Sequence, residues 1–170
     1  MPLDTLPMQL SKMLKNLSTW LDQAEAHAQE QGISPESLTE ARLAEDMFPL
    51  ARQVQIACDT AKFLVARLSG QAAPSNEDTE TTLDELRARI SWTREYLAGF
   101  SGEDFAGADT AMLALPFLPD NVQVKALDYL EEFAIPNFYF HCTTAYSILR
   151  AQGMPLGKRI FIGEIRLQPR

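Results

Sequence analysis

Apolar residues return along this chain with a helical period in four long stretches. From Leu6 to Gln31, Leu6, Leu10, Met13, Leu14, Leu17, Leu21, Ala24 and Ala28 keep the i, i+3/i+4, i+7 spacing of an amphipathic helix. Gly32 supplies its stop, with Trp20 and His27 at the edge of the stripe. Ser34-Pro35 combines an N-cap with a first-turn proline and predicts a short helix over about Pro35 to Arg42. A second long helix is predicted from Phe48 to Ser69, with Pro49 in its first turn and Asp46 as a cap or a negative charge at its positive end. Its core stripe is Leu50, Val54, Ala57, Ala61, Leu64 and Leu68. Gln53 falls on that buried side, whereas Gln55, Asp59 and Lys62 project elsewhere, the last two as a surface ion pair.

Gly70 to Asp78 is polar and turn-rich and reads as a loop. The third long helix begins near Thr79 to Thr82, where Thr82 and Glu85 fit a capping box, and continues through Leu83, Leu86, Ile90, Thr93, Leu97 and Phe100. From Ser101 to Lys125 the period disappears. Met112 to Phe117 and Val122 to Val124 flank Pro119-Asp120-Asn121, a small hairpin or an extended crossover of edge quality because of Pro116 and Pro119.

The last long helix, Ala126 to Arg150, gathers Leu130, Phe133, Ala134, Asn137, His141, Thr144, Ala145 and Ile148 on one side. Pro136 lies inside it, which predicts a kink at a cost of ~3 kcal/mol. The tail Gly157 to Arg170 is short, partly apolar and expected to strap over the helices. Four long amphipathic helices with a long connection before the last make an all-α four-helix bundle, up-down in course, as one domain over residues 1–170.

Charge removes several partners from consideration. The net charge of −8 and the absence of a Lys/Arg run argue against nucleic acid, which needs a clustered basic surface, and against anionic membrane. No apolar run approaches the ~20 residues of a membrane span, and no secretory leader is visible. Cys58 and Cys142, without CxxC spacing, read as buried free thiols in the cytoplasm.

The unusual feature is polarity inside the predicted core. Asn137 and His141 are four apart and stack one turn above the other, a geometry for a shared ligand, a metal or a hydrogen-bond chain. Gln53 and Thr144 complete the candidate set. Cys142 follows His141 directly and diverges from it by 100°, so the two cannot act as a nucleophile–base pair. No nucleotide-loop, GxSxG or HExxH signature occurs.

The stretches DMFPLARQVQIACDTAK (Asp46 to Lys62), PNFYFHCTTAYSILR (Pro136 to Arg150) and MPLGK (Met154 to Lys158) resemble the DinB/YfiT-like helical bundles. They look closest to a branch catalogued as a domain of unknown function numbered nineteen ninety-three. That resemblance implies a bundle with a crossover between helices three and four. In the superfamily, three histidines hold a divalent metal, and some members are thiol-dependent transferases or isomerases. Carried over by position, the two histidines of the last helix fall on Asn137 and His141, and the third on Gln53 or, less well, Gln55. Only His141 is retained, so the metal site is degenerate and no metal is expected, His141 being the ligand if one binds. Neutral carboxamides are poor ligands for transition metals.

Several readings stay open. Gln53, Asn137, His141 and Thr144 form either a closed polar network or a pocket for a small organic ligand, walled by Phe48, Trp92, Tyr129 or Phe138. The chain is then a non-catalytic module, or a thiol-linked transferase with His141 as catalytic base and Asn137 orienting the substrate. Tyr139 and Tyr146, seven apart on the opposite face, suggest packing beneath the tail or the seam of a homodimer, which the resemblance also implies, and a structural dimeric interaction module is the further alternative.

Overall fold

The computed structural model describes residues 2–165 and 167–168. Its elements are α1 (Leu6–Glu30), α2 (Glu36–Thr39), α3 (Leu50–Ser69), α4 (Leu83–Ala98), β1 (Met112–Leu113) and β2 (Val124–Lys125). These are followed by α5 (Ala126–Asp128), a π-helical turn Tyr129–Ala134, α6 (Ile135–Ala151) and α7 (Lys158–Ile162). The fold is an all-α bundle in which the leucine and alanine stripes of α1, α3 and α4 close on one core. β1 and β2 form the small antiparallel hairpin, Met112 opposite Lys125 and Leu113 opposite Val124. Among the described residues no helix is long and apolar enough to cross a membrane.

Cross-helix pairs set the directions. Glu25–Arg87 and Ser11–Arg94 make α1 and α4 antiparallel, Gln53–His141 and Thr60–Asn137 make α3 and α6 antiparallel, and Gln9–Tyr139 with Trp20–Tyr146 makes α1 and α6 parallel. It follows that α3 and α4 run the same way, giving an up–down–down–up course. The segment 70–82 must therefore return along the whole length of α3 before α4 can begin. It is a strap as well as a loop, and Thr82 ends it with the expected capping box on Glu85.

Several local boundaries differ from the sequence reading. α3 starts at Leu50 with Pro49 at the N-cap, and Asp46 makes no capping bond. α2 is confined to Glu36–Thr39 with no side-chain cap. Pro136 sits at the start of α6 behind the π turn. Proline lacks the N–H that would bond the carbonyl four residues back, and its ring crowds that carbonyl, so a widened turn absorbs both. The wider turn changes helical phase, and Phe133, expected in the core, is 40% exposed and stacks on Phe117 and Tyr129.

After α6 the chain doubles back. Met154 and Leu156 are buried, the Tyr146 hydroxyl donates to the Leu156 carbonyl at 2.8 Å, and Trp20 Nε1 donates to the Ile160 carbonyl at 3.2 Å. Trp20 is fully buried, stacked on Phe161 and edge-on to Tyr146. The Tyr139/Tyr146 face is thus covered by α1 and the chain's own tail, Tyr139 accepting a bond from Gln9 Nε2 at 3.2 Å. Arg166, Pro169 and Arg170 of the predicted tail lie outside the described residues.

Candidate functional site

The antiparallel α3/α6 seam carries the polar residues singled out above. His141 is buried, and its Nδ1 lies 2.7 Å from Gln53 Oε1. Gln53 Nε2 donates to the Phe48 carbonyl at 3.0 Å. A carbonyl only accepts, so the Gln53 amide must turn its NH2 to Phe48 and its oxygen to the ring. Nδ1 of His141 therefore carries the proton and donates. Nε2 keeps its lone pair and makes no hydrogen bond within the described residues. Burial, with Arg52 adding to it, pushes the His141 pKa down from 6.5 to about 4, so the ring is neutral at neutral pH.

Asn137 does not join this pair. Its Nδ2 donates to Thr60 Oγ1 at 2.8 Å, and the Thr60 hydroxyl donates to the Ile56 carbonyl at 2.7 Å. Thr144 spends its hydroxyl on the Phe140 carbonyl of its own helix at 2.8 Å. Of the four candidate residues, then, the fold brings Gln53 and His141 together and leaves Asn137 and Thr144 with separate partners. The four proposed wall residues are dispersed. Phe138 is fully buried, Tyr129 is buried and accepts from Arg67 at 2.6 Å, Trp92 stacks on Tyr96, and Phe48 is 55% exposed. His27 is half-buried on α1.

Three histidines in the related bundles would require three ligands at this seam. Here the only imidazole is His141, the Gln53 oxygen is already committed to its Nδ1, and Asn137 is turned to Thr60. The donor set does not fit a transition metal. Nor is any group of three or more His, Cys, Asp or Glu placed for a metal among the described residues. Cys58 and Cys142 are buried free thiols; burial pushes Cys58 up to about 12 and Cys142 well above its ordinary value. Neither is a thiolate at neutral pH, so neither is a ready nucleophile.

The strongest electrostatics lie on the other side of α3, and the sequence reading missed them. Arg89 is 5% exposed; its Nη2 meets Asp59 Oδ1 at 2.8 Å and Asp78 Oδ1 at 3.2 Å, and its Nη1 meets Glu80 Oε1 at 2.9 Å and the Glu77 carbonyl at 3.0 Å. Lys62, 2% exposed, donates to Asn76 Oδ1 at 2.8 Å and pairs with Asp59 at 2.8 Å. Asp59 and Lys62 are thus no surface pair, because the strap covers them. Gln55 is also buried rather than outward-facing, and its Nε2 donates to Glu80 Oε2 at 3.0 Å. A signal was available in the chain. Arg89 follows Leu86 by three on the buried stripe of α4, and Glu77, Asp78 and Glu80 precede it as a complementary acidic run.

Comparison with known proteins gives the chain's family and fold. The family model for "Domain of unknown function (DUF1993)" matches residues 4–162. The structure is similar to the crystal structure of a DinB family member protein from Shewanella denitrificans. The TM-score is 0.95 at 47% sequence identity, over 99% of this chain and 96% of that one. No curated protein matches the chain.

Proposed function

Since this chain belongs to the DinB-like family described by the DUF1993 domain of unknown function, we propose that it is a metal-independent, non-catalytic module of that family. The observation that carries the reading is the 2.7 Å bond between His141 Nδ1 and Gln53 Oε1. In this arrangement the position of one missing histidine is filled by a side chain that satisfies the remaining one. A neutral imidazole whose proton is committed to a carboxamide is a fixed structural rung. It is also a weak base, its pKa of about 4 lying far from working pH.

Elemental analysis of the purified full chain tests this. Zinc, nickel, iron and manganese are each expected well below one ion per chain. One divalent ion per chain that disappears in His141→Ala would overturn the proposal.

One observation favours a second reading, a site for a small organic ligand. The Nε2 lone pair of His141 is unused, and the neighbouring Phe140 is 54% exposed and edge-on to the imidazole at 5.2 Å. A ligand O–H or N–H donating to Nε2 while its apolar part lies against Phe140 would satisfy both. A selective shift of the His141 Nε2 resonance during titration with small aromatic alcohols and amides would establish it.

A further inference from the structure

Gln53 and His141 are buried in the α3/α6 seam, whereas an open groove lies elsewhere, between the outer face of α1 and the returning tail. Its volume is about 1020 Å³, at the upper end of the roughly 300–1,000 Å³ typical of small-molecule sites. Met8, Lys12, Lys15, Thr19 and Gln23 line it from α1 at helical spacing, which makes the groove elongated, roughly 22 Å at 1.5 Å per residue. The opposite wall is held in place. Asn16 Nδ2 donates to the Phe161 carbonyl at 3.0 Å, and the Trp20–Phe161 stack lies beneath. Gly163 has φ +70°, and a Cβ there would collide with the Asn16 carboxamide, so this turn fits only glycine.

Two properties of the lining point to one kind of occupant. Met8, Ile162, Ile165 and Leu167 are 44, 40, 69 and 87% exposed, a run of apolar surface left open to water. Lys12, Lys15 and Arg159 border it against a single acid, Glu164, and none of the three cations forms an ion pair among the described residues. On a chain of net charge −8 this is a local excess of positive charge where apolar surface is exposed. We propose that the α1–tail groove binds a monomeric single-chain amphiphile with an anionic head, a long-chain carboxylate. The acyl chain lies along Met8, Ile162 and Ile165, and the carboxylate is held by Lys12, Lys15 and Arg159. This site is independent of the Gln53–His141 rung.

Calorimetric titration of the full chain with dodecanoate below its micellar concentration tests the proposal. One saturable site is expected, with acetate silent and dodecyltrimethylammonium about tenfold or more weaker. The triple variant Lys12→Gln/Lys15→Gln/Arg159→Gln and the single variant Ile162→Asp should each weaken dodecanoate about tenfold or more. His141→Ala should leave it unchanged, which separates failure here from failure of the metal-independent reading. All four altered side chains lie outside the buried core, and an unchanged melting temperature checks that the variants fold. Binding of the triple variant within about twofold of wild type would overturn the proposal. So would preferential adsorption to phosphatidylglycerol vesicles, or dodecanoate-insensitive dimers that Ile162→Asp dissolves.

Discussion

The two polar faces of α3 differ in kind. Toward α6 lie one neutral imidazole, two carboxamides and a threonine hydroxyl, joined to each other and to backbone carbonyls by neutral hydrogen bonds. Toward α4 and the strap lie Arg89 and Lys62, buried, encircled by Asp59, Asp78 and Glu80. The first face contains the residues that look like chemistry in the sequence, and the second contains most of the buried charge. A neutral rung can be removed at the cost of one unsatisfied group, roughly 1–3 kcal/mol. A charge that loses its buried partner has no water to replace it, which costs roughly 3–5 kcal/mol. The ion cluster therefore anchors the 70–82 strap, and the strap makes possible two successive helices running in the same direction.

The sharpest way to separate the faces is Arg89→Leu. It leaves Glu80 without a cation and Asp59 with Lys62 alone, and should lower stability by about 3–5 kcal/mol in urea denaturation, with Glu80→Gln restoring part of the loss. A loss below about 1 kcal/mol would make the cluster a surface feature.

The next effect is pH dependence on the α6 face. His141 falls from 6.5 to about 4 on folding, so between those values the unfolded chain binds a proton that the native chain does not. Its contribution is complete above pH 6.5 and is lost as pH falls toward 4, by roughly 3 kcal/mol in all. His141→Gln should flatten stability-versus-pH curves in that window, and an unaltered slope would contradict the neutral, buried ring.

A double-mutant cycle ranks below this. Gln53→Leu and His141→Leu should each cost roughly 1–3 kcal/mol, and the two together should cost less than the sum. The smallest effect joins the two faces. Arg52 pairs with the strap's Asp78 and also depresses His141. Arg52→Gln should change stability by under about 1 kcal/mol, because that pair is partly exposed, while moving the His141 titration upward by NMR.

Much of this architecture can be read directly from residue spacing. The leucine stripes of α1 and α3, the Thr82/Glu85 cap, the hairpin around Pro119 and the buried side of Gln53 and His141 all follow from local periodicity and capping chemistry. Spacing failed where one segment covers another. Gln55, Asp59 and Lys62 project away from the α3 stripe, and nothing within that helix indicates that residues 76–80 lie over them. Asn137 and His141 share a face, yet their partners are seven residues apart on α3, a separation set by how antiparallel helices meet.

Residue identity and a local period thus set the helices, their buried faces and the placement of Gln53 and His141 on those faces, because both are properties of near neighbours in the chain. Folding in three dimensions sets α3 and α4 in one direction beneath a charged strap, ties the histidine's Nδ1 to Gln53, and leaves open space along α1. Those facts depend on contacts between residues distant in the chain, where the partner of each polar group is chosen by proximity in space.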